Sequence, residues 1–228
     1  MIKTIRNVRI VGTGSFAPDQ VYTNEYLATK VESTPEWIYK TLGIKERHIA
    51  KSSECTSDLA AEAAGRAIDM AGISADDIDL IIVATSTPDR IAPSTACIVQ
   101  EKIMAFNAAA FDINAVCSGF LYASTVASQF VSSGMYDKVL VIGADTFSKI
   151  TDWTRRDCVF FGDGAGAAIY SHARVGEGFL AANLNADGRG KLAWTVPAGG
   201  SENPASKSTV EAGDHYFFMD GKAVFDTA

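Results

Sequence analysis

Four cysteines are spread along the chain, Cys55, Cys97, Cys117 and Cys158, and one of them sits where a sulfur can be activated. Cys117 lies in the run Asn114-Ala115-Val116-Cys117-Ser118-Gly119-Phe120, directly after the strand-like Ala110-Phe111-Asp112-Ile113 and directly before a helix-like segment. A cysteine at a strand-to-helix junction meets the positive end of the helix dipole, which favours thiolate over thiol. The unpaired N–H groups of the same helix end suit the oxyanion of an acyl-transfer intermediate. Gly119 is expected to leave room beside the sulfur for a substrate. On these residues alone a buried structural cysteine stays open as the alternative, because free cysteine is among the most buried residue types. Cys55, Cys97 and Cys158 lack the junction and read as structural. The wide spacing, with no CxxC pair and no suitably placed histidine, points away from a metal site.

Acyl transfer also calls for a base or a proton donor. Three histidines are present. His48 lies in the charged stretch Lys45-Glu46-Arg47-His48-Ile49, which suggests a surface or ion-paired role. His172 ends a strand, and His215 stands near the start of one. None has the setting of a general base.

The elements that must position Cys117 alternate in type. Thr56-Ser57-Asp58 opens a helix that runs through Leu59, Ala63, Ala67 and Met70 and closes at Gly72. Asp79 to Ala84 reads as a strand apolar on both faces, and Pro93-Ser94-Thr95 begins a second helix through Val99 and Ile103. Residues 110–113 form a short strand, 118–132 a third helix, and 138–143 another doubly buried strand. Such alternation predicts βαβ units and a largely parallel sheet covered on both faces. The helix after Cys117 carries no charge until Asp137, which predicts an interior helix sandwiched between layers. After about residue 172 the texture turns Gly-, Asn- and Pro-rich, with strand candidates at 178–183, 192–196 and 215–219, a surface loop at 201–208 and a helix start near Phe225.

Composition bounds the function. The chain has 228 residues, 47% apolar and 21% charged, with a net charge of −7 and scattered lysines and arginines. That length supports a sizeable core without disulfide staples. No basic stripe suits a nucleic-acid backbone and no polybasic patch suits a membrane. The start lacks a signal-peptide pattern, and no apolar run approaches the ~18 residues of a membrane helix. A reduced, cytoplasmic setting is therefore expected. Gly12-Thr13-Gly14-Ser15-Phe16-Ala17 matches G-x-G-x-x-A, but Pro18-Asp19 follows where a dinucleotide site needs a helix, so a tight turn is expected. Phe161-Gly162-Asp163-Gly164-Ala165-Gly166 lacks the Lys-Ser/Thr ending of a phosphate loop and reads as a turn before a strand.

Taken together, these motifs resemble the ketoacyl-acyl-carrier-protein synthase III family of the thiolase-like superfamily. The resemblance runs through Gly12 to Pro18, Glu36-Trp37-Ile38, Gly43 to Ala50, Pro93 to Cys97, Phe111 to Phe120, Phe161 to Gly166, Asn185 to Gly188 and Met219 to Phe225. It implies an α/β, thiolase-like layered α/β/α/β/α fold. Residues 1–172 are expected to form its complete first half with the nucleophile, and residues 173–228 the start of an incomplete second half. Cys117 falls on the family's acyl-carrying cysteine, which displaces the structural alternative. The implied reaction is a ping-pong condensation: acyl-CoA acylates Cys117, then malonyl-ACP (malonyl-acyl carrier protein) loses carbon dioxide and attacks the thioester. The implied enzyme needs no cofactor or metal and is a homodimer.

By the same resemblance Trp37 stacks on the adenine of coenzyme A and Arg155 flanks it. Phe147, Phe161, Met219 and Phe225 line the acyl and pantetheine tunnel, with plain core as the alternative for these hydrophobes. Thr41 stands where the family pattern has an arginine, and Ala92 where it has a bulky aromatic, which suggests room for a longer primer. The family's catalytic His and Asn map beyond residue 228, so these residues alone are expected not to complete condensation. Two rival readings remain: a relative that passes the acyl group to another acceptor, by acyl transfer or head-to-head condensation, and a non-catalytic partner subunit.

Overall fold

The computed structural model describes residues 7–227. In chain order the strands are β1 (Asn7–Phe16), β2 (Gln20–Thr23), β3 (Glu46–Ile49), β4 (Leu80–Ala84), β5 (Ala109–Ile113), β6 (Lys138–Thr146), β7 (Asp163–Ala173), β8 (Trp194–Thr195) and β9 (Phe218–Met219). The helices are α1 (Asn24–Ala28), α2 (Pro35–Leu42), α3 (Thr56–Ala71), α4 (Thr95–Lys102), α5 (Gly119–Ser132), α6 (Lys207–Glu211) and α7 (Gly221–Thr227). They gather into two compact units, one of residues 7–20, 48–146 and 163–183, the other of residues 21–47, 147–162 and 184–227.

The first unit is a five-stranded sheet in the order β1-β7-β6-β4-β5. β4 runs parallel to β5 and to β6, whereas β7 is antiparallel to both β6 and β1. The sheet is thus mixed, not largely parallel. A parallel return needs a crossover element, usually a helix, and the connection between β6 and β7 holds only 3-10 turns. Residues 163–166 of the glycine segment, expected as a turn, are instead the start of the 11-residue strand β7.

Alternation along the strands sorts the core into two layers. Ile81, Val83, Leu140, Ile142 and Ile169 pack with Ala60, Ala63, Ala64 and Ala67 of α3 and with Val99 of α4. Leu80, Ile82, Val139, Val141 and Tyr170 pack with Ala123, Ala127 and Val131 of α5. Every residue of β4 is buried, and each of its large side chains contributes about 1.5–3 kcal/mol by leaving water. The expectation for α5 is met on one face only: among the described residues its other face is open, with Leu121 64% exposed. Lack of charge therefore marked a helix that a second layer can cover, without supplying that layer.

The helix ends follow local chemistry. Asp58 accepts the Cys55 N–H at 2.7 Å and so closes the start of α3, and Gly72 ends that helix at φ 64°. Ser94 caps α4, and the carboxylate of Asp112 on β5 accepts the N–H groups of Thr95 and Ala96, both at 2.7 Å.

Gly12 and Gly14 form no tight turn; β1 continues through them to Phe16. Their role is close approach. A Cβ at Gly12 would lie 2.3 Å from the Ala67 carbonyl oxygen of α3, and one at Gly14 would lie 2.1 Å from that of Ala63. The α3 backbone rests directly on this strand because two side chains are missing.

In the second unit, Leu27, Val31, Ile38, Cys158 and Val159 form a small core that Trp37, Tyr22 and Trp153 flank. The buried Arg47 ties it together, donating from Nε to the Val159 carbonyl at 2.9 Å and from Nη1 to Asn24 Oδ1 at 2.7 Å. The later strand candidates shorten. Residues 192–196 and 215–219 contribute only the two-residue pair β8–β9, in which Trp194 faces Met219. In the first unit, residues 178–183 form no strand, although the Phe179 N–H donates to the Val8 carbonyl at 2.6 Å. Within the expected loop at 201–208, a Ser206–Thr209 capping box starts α6.

Substitution of Gly14 by Ala is expected to cost about 3 kcal/mol through overpacking against α3, lowering Tm by roughly 6–12 °C. Gly65→Ala, in the interior of α3 with open space around it, should leave Tm unchanged or raise it by up to about 4 °C. Thermal denaturation of both variants checks this. Equal Tm values for the two would show that close β1–α3 approach is not what Gly14 serves.

Candidate active site

Cys117 sits where the sequence places it, between β5 and α5. The junction is a 3-10 turn, Val116–Ser118, that leads into the first residue of α5. Val116 has φ 46°, a left-handed conformation costly for a β-branched residue. That strained step turns the chain sharply and leaves the Cys117 side chain exposed. No side chain caps α5 at Ser118, so its N-terminal dipole is directed at the turn without a competing hydroxyl.

Gly119 does not open space for a substrate. It is buried, and a Cβ there would lie 3.2 Å from the Ala84 Cβ at the end of β4. Gly143 of β6 plays the matching part under Phe120, whose ring would lie 3.3 Å from an added Cβ. These two glycines seat the first turn of α5 on the carboxyl ends of β4 and β6.

A half-buried carboxylate braces the same edge. Asp145 Oδ1 accepts the Ser86 N–H at 2.8 Å, the Thr87 N–H at 3.2 Å, the Thr87 hydroxyl at 2.9 Å and the Thr85 hydroxyl at 3.2 Å. Burial pushes its pKa above the ordinary carboxylate value, and these four bonds pull against that shift. The loop held by Asp145 reaches the Cys117 turn through Asn114, whose Oδ1 accepts from the Ser86 hydroxyl at 3.5 Å and from the Val116 N–H at 3.4 Å. Asp145 has one mark in the sequence, an acidic residue at the end of an otherwise apolar strand.

The other expected site residues lie in the second unit. Phe147 and Phe161 stack at 4.9 Å, and Trp194 and Phe217 complete the aromatic cluster: Phe161 meets Phe217 at 5.0 Å and Phe147 meets Trp194 at 5.8 Å. Met219 adjoins this cluster through its pairing with Trp194. Phe225 lies on α7 and is 85% exposed. Trp37 has one flank on the small core and lines an open cavity with Ser33, Thr34 and Arg156. The guanidinium over the Trp37 ring, at 4.3 Å, is that of Arg156. Arg155 is paired with Asp157 at 2.6 Å and lies 5.6 Å over the Phe218 ring.

His48 is half-buried, with Nδ1 against the Pro18 carbonyl at 2.5 Å. His172 is exposed on β7, and the ring of His215 lies 4.0 Å from that of Tyr216. Among the other cysteines, Cys158 is buried, and desolvation reinforced by Asp157 pushes its thiol up to about 11. Cys55 and Cys97 are half-buried.

Limited alkylation with iodoacetamide at neutral pH, read by peptide mass spectrometry, should modify Cys117 first and Cys158 last. Earlier labelling of Cys55 or Cys97 would remove the case for an activated Cys117. The raised Cys158 thiol also fixes an alkaline limit. The unfolded chain releases this proton near 9.0 and the folded chain near 11, so stability present below pH 9 is lost as pH rises toward 11. A Cys158→Ala variant should lose that pH-dependent part, which chemical denaturation at pH 8, 9, 10 and 11 measures by difference.

Known proteins resemble this chain in both sequence and fold. Residues 111–188, which include the Cys117 junction, match the family model for 3-oxoacyl-[acyl-carrier-protein (ACP)] synthase III. The chain is 53% identical over 220 residues to the beta-ketoacyl-[acyl-carrier-protein] synthase III of Caldanaerobacter subterraneus, covering 96% of this chain and 66% of that protein. It is 52% identical to the enzyme of the same name from Clostridioides difficile, covering 96% of this chain and 67% of the relative. Its structure superposes on the crystal structure of 3-oxoacyl-[acyl-carrier-protein] synthase III from Aquifex aeolicus with a TM-score of 0.85 and 40% identity, over 97% of this chain and 67% of that one. The chain thus spans about two thirds of the length of the relatives it matches, and on this similarity of sequence and fold it belongs to the 3-oxoacyl-[acyl-carrier-protein] synthase III family.

Proposed function

We propose that Cys117 carries the acyl group in a 3-oxoacyl-[acyl-carrier-protein] synthase III reaction of fatty acid biosynthesis. The observation that carries this reading is the exposed sulfur on a strained turn at the uncapped N-terminus of α5, at the position the family resemblance gives to the acyl-cysteine. The Cys117 thiolate attacks the carbonyl carbon of an acyl-CoA. The new carbon–sulfur bond forms first, giving a tetrahedral oxyanion; the bond to coenzyme A then breaks, and coenzyme A leaves as a thiolate that takes up the proton Cys117 released. Backbone N–H groups of the α5 start would stabilise the oxyanion between these steps. Malonyl-ACP is the second substrate: its carboxylate leaves as carbon dioxide, and the resulting carbanion attacks the Cys117 thioester, freeing the sulfur and giving the 3-oxoacyl product. Loss of carbon dioxide supplies the driving force, so the chemistry needs no organic cofactor or metal.

In this reading Trp37 receives the adenine of coenzyme A, beside a guanidinium of the Arg155–Arg156 pair. Phe147, Phe161, Met219 and Phe225 contribute to the acyl and pantetheine path. The decarboxylating His and Asn that the resemblance implies lie outside residues 1–228, so the step assigned to these residues is acyl transfer. The family resemblance also supports a homodimer working in the cytoplasm.

Incubation with isotopically labelled acyl-CoA, followed by peptide mass spectrometry, should place one acyl group on Cys117 and none on the Cys117→Ala variant. Label on another cysteine, or none on Cys117, rejects the assignment. Ala92, small where the family pattern is bulky, should admit long primers, each added buried methylene contributing about 0.8 kcal/mol. Ala92→Phe should therefore shift the acylation preference toward acetyl. Wild-type acylation that falls steeply from acetyl to octanoyl donors would contradict this role for Ala92.

A further inference from the structure

Val116 is strained without being packed. A φ of 46° is unfavourable for a β-branched residue, yet its side chain is 42% exposed, so core contacts do not enforce that conformation. The turn is held at its two ends instead. On the helix side the buried Gly119 rests on Ala84. On the strand side Asn114 Oδ1 accepts the Val116 N–H at 3.4 Å and the Ser86 hydroxyl at 3.5 Å, which joins the turn to the loop after β4. That loop is itself fixed from below. The Thr56 hydroxyl donates to the Thr87 carbonyl at 2.6 Å, and the Thr87 hydroxyl accepts the Thr146 N–H at 2.8 Å, all three threonines being buried. Of the three hydroxyls in the loop, those of Thr85 and Thr87 bond to Asp145, and that of Ser86 turns to Asn114.

We infer that Asn114 is a positioning residue for acyl transfer: by bridging the fixed loop to the Val116 N–H, it holds the left-handed step and with it presents the Cys117 sulfur. The inference rests on the reading of Cys117 as acyl carrier and adds what keeps that sulfur in place. Without the bridge, Val116 relaxes toward negative φ, where a β-branched residue is unstrained, and the chain is redirected at Cys117. Acylation then proceeds only from the fraction of molecules whose turn is still strained. Asn114 contacts no donor in this role, so its loss lowers kcat and leaves KM in place. Exposure of both Asn114 and Val116 makes the device local: removing it leaves both core layers intact.

The test uses the full 228-residue chain and two rates, acylation of Cys117 by acyl-CoA and its alkylation by iodoacetamide, both followed by peptide mass spectrometry. Asn114→Ala should lower kcat for acylation about fivefold with KM within about twofold of wild type, the scale of one lost hydrogen bond. Alkylation of Cys117 should slow in parallel, while labelling of Cys55 and Cys97 stays unchanged and shows that the variant is folded. Ser86→Ala, which removes the anchor and keeps the bridge, should slow both rates about threefold. Glycine adopts a left-handed conformation without steric cost, so Val116→Gly in the Asn114→Ala background should restore both rates to within about twofold of wild type. Asn107, an exposed asparagine before the other end of β5 that donates to the Asp76 carbonyl at 3.1 Å, is the control, and Asn107→Ala should change neither rate. The proposal is overturned if Asn114→Ala leaves both rates unchanged, or if Val116→Gly fails to restore them. Should Asn114→Ala not fold, Ser86→Ala with and without Val116→Gly makes the same comparison. Normal acylation of Cys117 in both wild type and Asn114→Ala rejects the positioning role and keeps the acyl carrier. No acylation in wild type, with alkylation that falls in Asn114→Ala and recovers with Val116→Gly, rejects the acyl carrier and keeps the positioning role.

Discussion

Parallel pairing of β4 with both β5 and β6 is the constraint on which the rest of the first unit depends. In a parallel ladder all three strands end on the same edge, and the chain must leave each of them there. The loop 85–87, the Cys117 turn and Asp145 consequently meet at one place, although 60 positions separate Thr85 from Asp145. Double burial of β4 enforces the arrangement. With Ile81 and Val83 on one layer and Leu80 and Ile82 on the other, a register slip would exchange the two faces of the strand and disrupt both layers.

Carboxylates do much of the local bracing at this edge and elsewhere. Asp145 gathers four donors from the loop after β4, Asp112 closes the first turn of α4, and Asp163 accepts the Ala50 N–H at 2.7 Å. Each satisfies backbone N–H groups that would otherwise be buried unpaired, a loss of about 1–3 kcal/mol apiece. Such anchoring holds a rigid platform under one deliberately strained residue. Val116 keeps its left-handed conformation because Asn114 on one side and the seating of Gly119 on Ala84 on the other leave the turn no alternative path.

The second unit solves a different problem with few residues. Its core is small, and a buried arginine substitutes for hydrophobic bulk: Arg47 reaches the 3-10 segment at Val159 and the start of α1 at Asn24 with charge-assisted bonds. The aromatic cluster of Phe147, Phe161, Trp194 and Phe217 draws together three stretches of chain that are far apart in sequence. Flat faces and fixed rotamers give such a cluster defined surfaces at low entropic cost.

Signals that act along the chain specify the local elements around Cys117 and single that residue out as the candidate nucleophile. The limits of α3, α4 and α5, the buried strands β4 and β6, the short strand β5, and the place of Cys117 between β5 and α5 all followed from caps, periodicity and apolar runs, because those signals act within a few residues. Long-range packing sets the rest: β7 returns antiparallel, Gly12 and Gly14 seat α3, Gly119 is packed on Ala84, and Arg156 is the arginine over Trp37. In each case the deciding partner is distant in the chain: a carbonyl of α3, a methyl group of β4, a ring on α2. A glycine that permits close approach has the same local signature as one that makes a turn, and adjacent arginines have the same composition. What separates them is which side chain already has a partner in space, and that is settled by packing.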